Sequence, residues 1–131
     1  MDPVTASARA KPVVLVAEDE VLIRLEVSDF LRDCGFEVHE CGSAHEARAM
    51  FLAGVRIDIL FSDVNMPGPR DGIELAAWVE ANYPAVVVIL TSGIADALEA
   101  AGLACKNVRR FVAKPYIHSD LEKLLRSYAA E

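Results

Sequence analysis

The stretch ILFSDVNMPGPRDG, Ile59 to Gly72, decides the fold because it joins an apolar run to a cluster of turn residues. The run does not alternate with polar residues, which is typical of a strand covered on both faces in a parallel sheet. The Asn, Pro and Gly residues that follow favour a loop. Asp63 stands where the run meets the loop, so the sequence predicts an acid at the tip of a buried strand.

Similar strand patterns recur along the chain. The apolar segments Val13–Glu18, Ile57–Asp63, Ala85–Ser92 and Arg109–Lys114 are short and rich in Val, Ile and other apolar residues. The weaker segment Phe36–Gly42 alternates, which predicts an edge strand. Because segments with helical spacing lie between them, the order of elements implies right-handed crossovers and a single parallel sheet between two layers of helices.

Helix ends are marked by residues that satisfy free backbone groups. Two pairs fit the capping box, in which each side chain accepts a hydrogen bond from a backbone N–H near the helix start: Ser43 with Glu46, and Ser119 with Glu122. Three glycines follow helical stretches where a left-handed residue is needed: Gly35, Gly54 and Gly102.

Composition limits the possible classes of protein. The 131 residues are 53% hydrophobic with a formal charge of −7, which fits one globular domain and disfavours non-specific nucleic-acid binding. No apolar run approaches the roughly 18 residues that cross a membrane, and no signal peptide is present, so a soluble cytoplasmic protein is expected. We expect residues 1–11 to form a loose tail, residues 12–131 to form the domain, and Cys34, Cys41 and Cys105 to be reduced thiols.

Polar residues gather where the predicted strands end. They are Glu18, Asp19 and Glu20 after the first strand, Asp63 and Asn65 after the third, Thr91 and Ser92 on the fourth, and Lys114 followed by Pro115 on the fifth. The carboxyl ends of parallel strands share one edge, which is where such sheets bind ligands. Acids from two strands, a hydroxyl and a lysine are therefore expected to converge. Glu20 is interpreted as an exposed residue in the first turn of a helix.

A cluster of carboxylates is unfavourable unless a cation neutralises it, and Mg²⁺ prefers oxygen ligands of this kind. With a metal beside it, Asp63 becomes a nucleophile able to accept a phosphoryl group. Lys114 and Thr91 can then supply positive charge and a hydrogen bond to the phosphoryl oxygens. The same acids disfavour a flavodoxin-like phosphate loop after the first strand.

These residues resemble the receiver domain of two-component response regulators, over about Lys11 to Tyr128. The motifs are the acidic pair Glu18-Asp19, the DVNMPG segment containing Asp63, the hydroxyl residue Thr91, the aromatic residue Phe111 and the pair Lys114-Pro115. The resemblance implies a flavodoxin-like (βα)5 sandwich, similar to chemotaxis regulators, with five parallel strands in the order 2-1-3-4-5.

The resemblance also implies roles for single residues. Asp63 would be the phosphoacceptor. Mg²⁺ would be held by Asp19, Asp63 and the backbone carbonyl of Asn65, with Glu18 acting through water. Phosphoryl binding and switching would involve Thr91, Ser92, Lys114 and Phe111, and the Lys114–Pro115 peptide would be cis.

Partners follow from the same resemblance. Phosphate would come from a sensor histidine kinase or a histidine phosphotransfer protein. Output would pass to a downstream protein or a second copy of the chain through the fourth helix, the fifth strand and the last helix. No output domain follows the last predicted helix, and no direct contacts to nucleic acid or membrane are expected. The chain is then a single-domain regulator, a phosphate sink in a relay or a piece of a hybrid kinase.

The sequence departs from the family pattern at several positions. The acidic pair is Glu-Asp where Asp-Asp is common, and the loop MPGPRDG is one residue longer than usual, with no contact assigned to Arg70. Phe111 stands where Tyr is frequent, and Gly93 offers no side chain beside the phosphoryl site.

Two alternatives remain beside a signalling module. One is a phosphohydrolase that also forms an aspartyl phosphate on Mg²⁺. Hydrolases resembling the haloacid dehalogenase group carry a DxD pair after the first strand, whereas Asp63 is followed by Val64 and Asn65 on the third. The other is an inert scaffold, which would ordinarily have lost the acids or Lys114.

Overall fold

A computed structural model of the chain describes residues 11–66, 72–93 and 108–129, with the backbone alone for 108–111. Its elements are β1 (Val13–Ala17), α1 (Val21–Asp33), β2 (Glu37–Cys41), α2 (Ala44–Leu52), β3 (Ile59–Asp63), α3 (Gly72–Asn82), β4 (Val87–Ser92), β5 (Val108–Ala113) and α4 (His118–Ala129). The helix predicted between β4 and β5, together with Gly102 and Cys105, lies outside the described residues. None of the helices in the described part is long and apolar enough to cross a membrane.

The strands form one parallel sheet in the order β2-β1-β3-β4-β5. The predicted order and parallel sheet are confirmed, and the alternating segment β2 lies at an edge as expected. Successive residues of each strand face opposite sides of a sheet. Leu15 packs with α2 and α3 on one side, whereas Val14 and Val16 pack with α1 and α4 on the other. The sheet therefore has helices on both faces.

Two strands start later than the apolar pattern predicts. β3 begins at Ile59 instead of Ile57, and β4 begins at Val87 instead of Ala85. Val86 donates its N–H to the Tyr83 carbonyl at 3.0 Å, so this residue belongs to the turn that follows α3. Apolar residues at the start of a strand can thus be buried in the connection.

The cap of α2 matches its prediction. Ser43 Oγ accepts from the Glu46 N–H at 3.1 Å, and Glu46 Oε1 accepts from the Gly42 N–H at 2.6 Å. Gly35 and Gly54 adopt left-handed φ angles of 99° and 83° at helix ends.

The predicted cap at Ser119 is wrong. The Leu121 N–H donates to the Ile117 carbonyl at 3.0 Å, so the first turn of α4 already begins at Ile117 and includes Ser119. A residue inside the first turn has helical geometry and cannot serve as the cap.

The register of the strands sets the positions of the polar residues. Asp63 of β3 lies opposite Thr91 of β4, and Ser92 lies opposite Ala113 of β5. The pairing of β4 with β5 shifts by one residue between Val88 and Ile89. After that irregularity, Lys114 donates its N–H to the Ser92 carbonyl at 3.0 Å. Asp63, Thr91, Ser92 and Lys114 therefore all lie at the carboxyl edge of the sheet.

Candidate functional site

An ammonium group lies between two buried acids at the carboxyl edge. Lys114 Nζ is 2.7 Å from Asp63 Oδ2 and 2.7 Å from Glu18 Oε1. The Glu18 and Asp63 side chains are only 4% and 7% exposed, so both hydrogen bonds are shielded from solvent. Charge-assisted hydrogen bonds of this length are the stronger kind in proteins. The structure therefore joins the ends of β1, β3 and β5 through one lysine.

Three carboxylates form a cluster at this edge. Oxygens of Glu18, Asp19 and Asp63 all lie within 4.8 Å of one another, and Asp19 is the exposed member. A set of carboxylate oxygens open to water on one side is the chemistry that Mg²⁺ prefers, because this ion retains part of its hydration shell. The residues present therefore fit the expected metal.

Burial and charge act together on the groups of the site. Burial raises the pKa of Glu18 above its ordinary value, although hydrogen bonds from Lys114 and the Glu20 N–H oppose this effect. Burial disfavours the charged form of Lys114, but the hydrogen bonds and charges of Asp63 and Glu18 outweigh it and raise the pKa of the lysine. Lys114 is therefore fixed as a cation.

The second oxygen of Asp63 is held by the following loop. Asp63 Oδ1 accepts from the Asn65 N–H at 2.9 Å, and Asn65 Nδ2 donates to Ser92 Oγ at 3.1 Å. Asn65 thus links the tip of β3 to the tip of β4. The side chain of Ser92 is joined to the site in this way.

Thr91 carries an unsatisfied hydroxyl beside Asp63. The residue is buried, and its Oγ1 has no hydrogen-bond partner within residues 11–66, 72–93 and 108–129. Its carbonyl accepts from the Val64 N–H at 2.9 Å, so the two strands are fixed to each other. A buried polar group without a partner is unfavourable and marks a place where a ligand oxygen can bind.

Pro115 and Phe111 were also expected at the site. The Lys114–Pro115 peptide bond is cis. Phe111 lies opposite Leu90 in the strand pairing. Its side chain lies outside the described atoms, so its switch role stays a prediction. Glu20 is exposed as expected, but it lies at the cap position before α1 and not in the first turn, and its N–H donates to Glu18 Oε2 at 3.2 Å.

Two residues of the site were missed in the sequence. A Cβ atom on Gly72 would lie 2.0 Å from the Asp63 carbonyl oxygen, so the start of α3 packs directly on the backbone at the end of β3. Arg24 Nη1 donates to the Glu18 carbonyl at 2.9 Å. A single glycine after a turn gives no specific signal for this packing, and Arg24 looks like any helical arginine.

Fold and site together define a class. The doubly wound parallel sheet carries at its carboxyl edge a buried strand-tip acid, two further acids, a lysine and a free hydroxyl. An α/β domain with such an edge is suited to binding an anion beside a cation. The family model of the response regulator receiver domain matches residues 14–126, and the chain belongs to this family.

Relatives and solved structures agree with this membership. Transcriptional regulatory protein PdtaR of Mycobacterium tuberculosis is 38% identical over 123 residues, covering 91% of this chain and 58% of PdtaR. The chain thus spans little more than half of that relative's length. Chemotaxis protein CheY of Listeria monocytogenes is 28% identical, covering 79% of this chain and 86% of CheY. These matches give no support to the phosphohydrolase alternative.

The fold has counterparts among crystal structures. The response regulator receiver protein from Sinorhizobium medicae superposes with a TM-score of 0.82 at 26% identity, covering 92% of this chain and 96% of that one. The signal receiver domain of an HD domain-containing protein from Pseudomonas fluorescens superposes with a TM-score of 0.83 at 25% identity, covering 92% and 95%.

Proposed function

We propose that Asp63 is the phosphoacceptor of this receiver domain. The carrying observation is the Lys114–Asp63 hydrogen bond of 2.7 Å beside the cluster of three acids. An Asp63 carboxylate oxygen attacks the phosphorus of a phosphohistidine. The P–N bond breaks, its electron pair stays on the imidazole nitrogen, and a proton restores the neutral ring.

The chain's own residues assist this transfer. Glu18, Asp19, Asp63 and the backbone carbonyl of Asn65 would hold Mg²⁺, with Glu18 acting through water, and the ion would supply positive charge to the transferring group. Lys114 supplies a second positive charge from the β5 side. Thr91 donates its free hydroxyl to a phosphoryl oxygen, and Ser92 lies next to it on β4. Phe111 responds to the movement of Thr91.

Partners and setting belong to the same proposal. The donor is a sensor histidine kinase or a histidine phosphotransfer protein. The output face is formed by β5, by α4 and by the helix expected between β4 and β5. It binds a downstream protein or a second copy, without direct contacts to nucleic acid or membrane. We take the domain as residues 12–131. The tail expected over residues 1–11 lies outside the described residues, apart from Lys11. It acts in the cytoplasm as a signalling module and not as an enzyme for external substrates.

Phosphorylation by acetyl phosphate tests the proposal. With Mg²⁺ present, intact-mass analysis should show one added phosphoryl group, and none after removal of the metal by a chelator. Asp63→Asn should abolish the addition. Asp29→Asn is a matched control because Asp29 is an exposed acid of α1, and this variant should react like the native chain. Unchanged phosphorylation of Asp63→Asn would show that another residue accepts the group.

A further inference from the structure

Arg24 holds the loop that carries the exposed acid of the cluster. Its Nη1 donates to the Glu18 carbonyl at 2.9 Å, and its backbone N–H donates to the Glu20 carbonyl at 2.9 Å. One residue in the first turns of α1 therefore binds the chain on both sides of Asp19.

This double contact matters because Asp19 is otherwise weakly held. In the part of the chain that the structure describes, the Asp19 carboxylate makes no hydrogen bond or ion pair. The Glu18 carbonyl and the Asp19 N–H belong to one planar peptide unit. Fixing the direction of that carbonyl therefore fixes the backbone from which the Asp19 side chain projects.

The guanidinium of Arg24 is itself held in place. Its Nε lies 3.6 Å from Glu40 Oε1, with both side chains about one-fifth exposed. Glu40 is fixed in turn by Arg32, whose Nη1 lies 2.8 Å from Glu40 Oε2. Glu40 of the edge strand thus orients Arg24 toward Glu18.

Gly42 leaves the space that the guanidinium occupies. A Cβ atom at Gly42 would lie 2.9 Å from Arg24 Nη1, the nitrogen that bonds to the Glu18 carbonyl. Backbone atoms are not among the close neighbours, and the φ angle of Gly42 is not left-handed. A methyl group there would displace the end of one flexible side chain and leave the backbone in place.

From these contacts we propose that Arg24 is a positioning residue for the cation site, and that Gly42 is required for this role. The proposal rests on the proposed function, in which Asp19 is a metal ligand. Arg24 touches neither the metal nor the phosphoryl group. It sets the orientation of the Glu18–Asp19 peptide before the cation binds.

Calorimetric titration with Mg²⁺ alone tests the proposal. Arg24→Ala should weaken Mg²⁺ binding by about 10-fold, the lower end of what loss of an outer partner of a metal ligand costs. Arg24→Lys should recover part of the affinity, because an ammonium can donate to the Glu18 carbonyl but lacks the planar guanidinium geometry. Arg56→Ala is the control, since Arg56 is an exposed arginine whose ion pair is with Asp58 at the amino end of β3.

Gly42→Ala provides a second route to the same defect. It should also weaken Mg²⁺ binding by about 10-fold while Arg24 is still present. The double variant should bind Mg²⁺ about as weakly as either single variant, because both changes remove the same hydrogen bond from Arg24 to the Glu18 carbonyl. NMR should show the Asp19 amide signal displaced in both variants and unchanged in Arg56→Ala.

The outcomes separate a positioning role from a structural one. A merely structural role would lower the melting temperature of Arg24→Ala and leave its Mg²⁺ affinity at the native value. Native Mg²⁺ affinity in Arg24→Ala overturns the proposal. If Arg24→Ala fails to fold, native affinity in Gly42→Ala overturns it instead. Absence of Mg²⁺ binding in the unmodified protein overturns the metal site of the proposed function along with it.

Discussion

Lys114 and Asp63 are 51 positions apart in the chain, yet Nζ and Oδ2 lie 2.7 Å from each other at the carboxyl edge of the sheet. The same ammonium bonds to Glu18, so one positive charge serves two buried acids. Without the lysine, the two carboxylates would repel each other in a region shielded from water. Lys114 thus reduces the repulsion between the two acids before any ligand binds.

Removal of this lysine should separate metal binding from the response to phosphorylation. We expect Lys114→Ala to bind Mg²⁺ at least as tightly as the native chain, because it loses a like charge near the ion. Its response to beryllofluoride, a phosphoryl mimic, should be weaker. Calorimetry and amide NMR measure the two effects. Lys11→Ala, which removes the same charge before the amino end of β1, should change neither, and a large loss of Mg²⁺ affinity in Lys114→Ala would contradict the arrangement.

Replacing the unsatisfied hydroxyl of Thr91 should raise the stability of the protein and weaken its response to a phosphoryl mimic. Thr91→Val replaces a buried unpaired hydroxyl by a methyl group, so the free energy of unfolding without phosphate should rise by about 1 kcal/mol. Urea unfolding measures this change. In the native chain, shifts induced by beryllofluoride should spread from Asp63 to the Phe111 amide and α4, whereas in Thr91→Val they should stay near the metal site. Thr91→Ser should behave like the native chain, and spreading shifts in Thr91→Val would refute the coupling.

Gly72 should tolerate no side chain. A Cβ atom there would meet the Asp63 carbonyl oxygen at 2.0 Å and the Val64 Cα at 2.8 Å, so α3 must move away from β3. Overpacking of this kind costs about 1–3 kcal/mol, and we expect Gly72→Ala to reach the upper end. Gly93→Ala is the control because a Cβ atom there meets nothing within 4 Å. Equal denaturation midpoints for the two variants would be inconsistent with this contact.

Cys41 should make stability fall in alkaline solution. Burial raises the pKa of its thiol from the ordinary value of 9.0 to about 12. Below pH 9 the thiol is protonated in the folded and in the unfolded chain, so its ionisation does not lower the free energy of unfolding. Above pH 9 the unfolded chain loses this proton first, so stability declines until the folded thiol also ionises. Urea unfolding of Cys41→Ala between pH 9 and 10.5 should show a smaller decline than the native chain, and equal slopes would contradict the assignment.

The fold could be predicted because each buried strand is a short continuous apolar run. The same signal misplaced the start of β3 at Ile57, since hydrophobicity alone does not distinguish a strand from a buried connection. The cap at Ser119 failed for a related reason. A serine three residues before a glutamate marks a helix start only when the chain has not already turned at Ile117.

The site could be predicted at the level of strand ends and not at the level of contacts. The proximity of Asp63, Glu18 and Lys114 follows from parallel strands sharing one edge. The alignment of Lys114 with Ser92 also depends on the register shift between β4 and β5. No pattern of residues in the sequence predicts this shift. Arg24 was missed because its target is a backbone carbonyl, and carbonyls are present at every residue.

The bond between Lys114 and Glu18 joins residues 96 positions apart, and this separation has a consequence during synthesis. When β1 and β3 have emerged from the ribosome but β5 has not, Glu18 and Asp63 lack the Lys114 ammonium that bonds to both. Contacts of such long sequence separation form only after the entropy of a large loop has been lost. The acidic edge around Asp63 is therefore completed only when the last strand joins the sheet, and a truncated translation product lacks the assembled cluster.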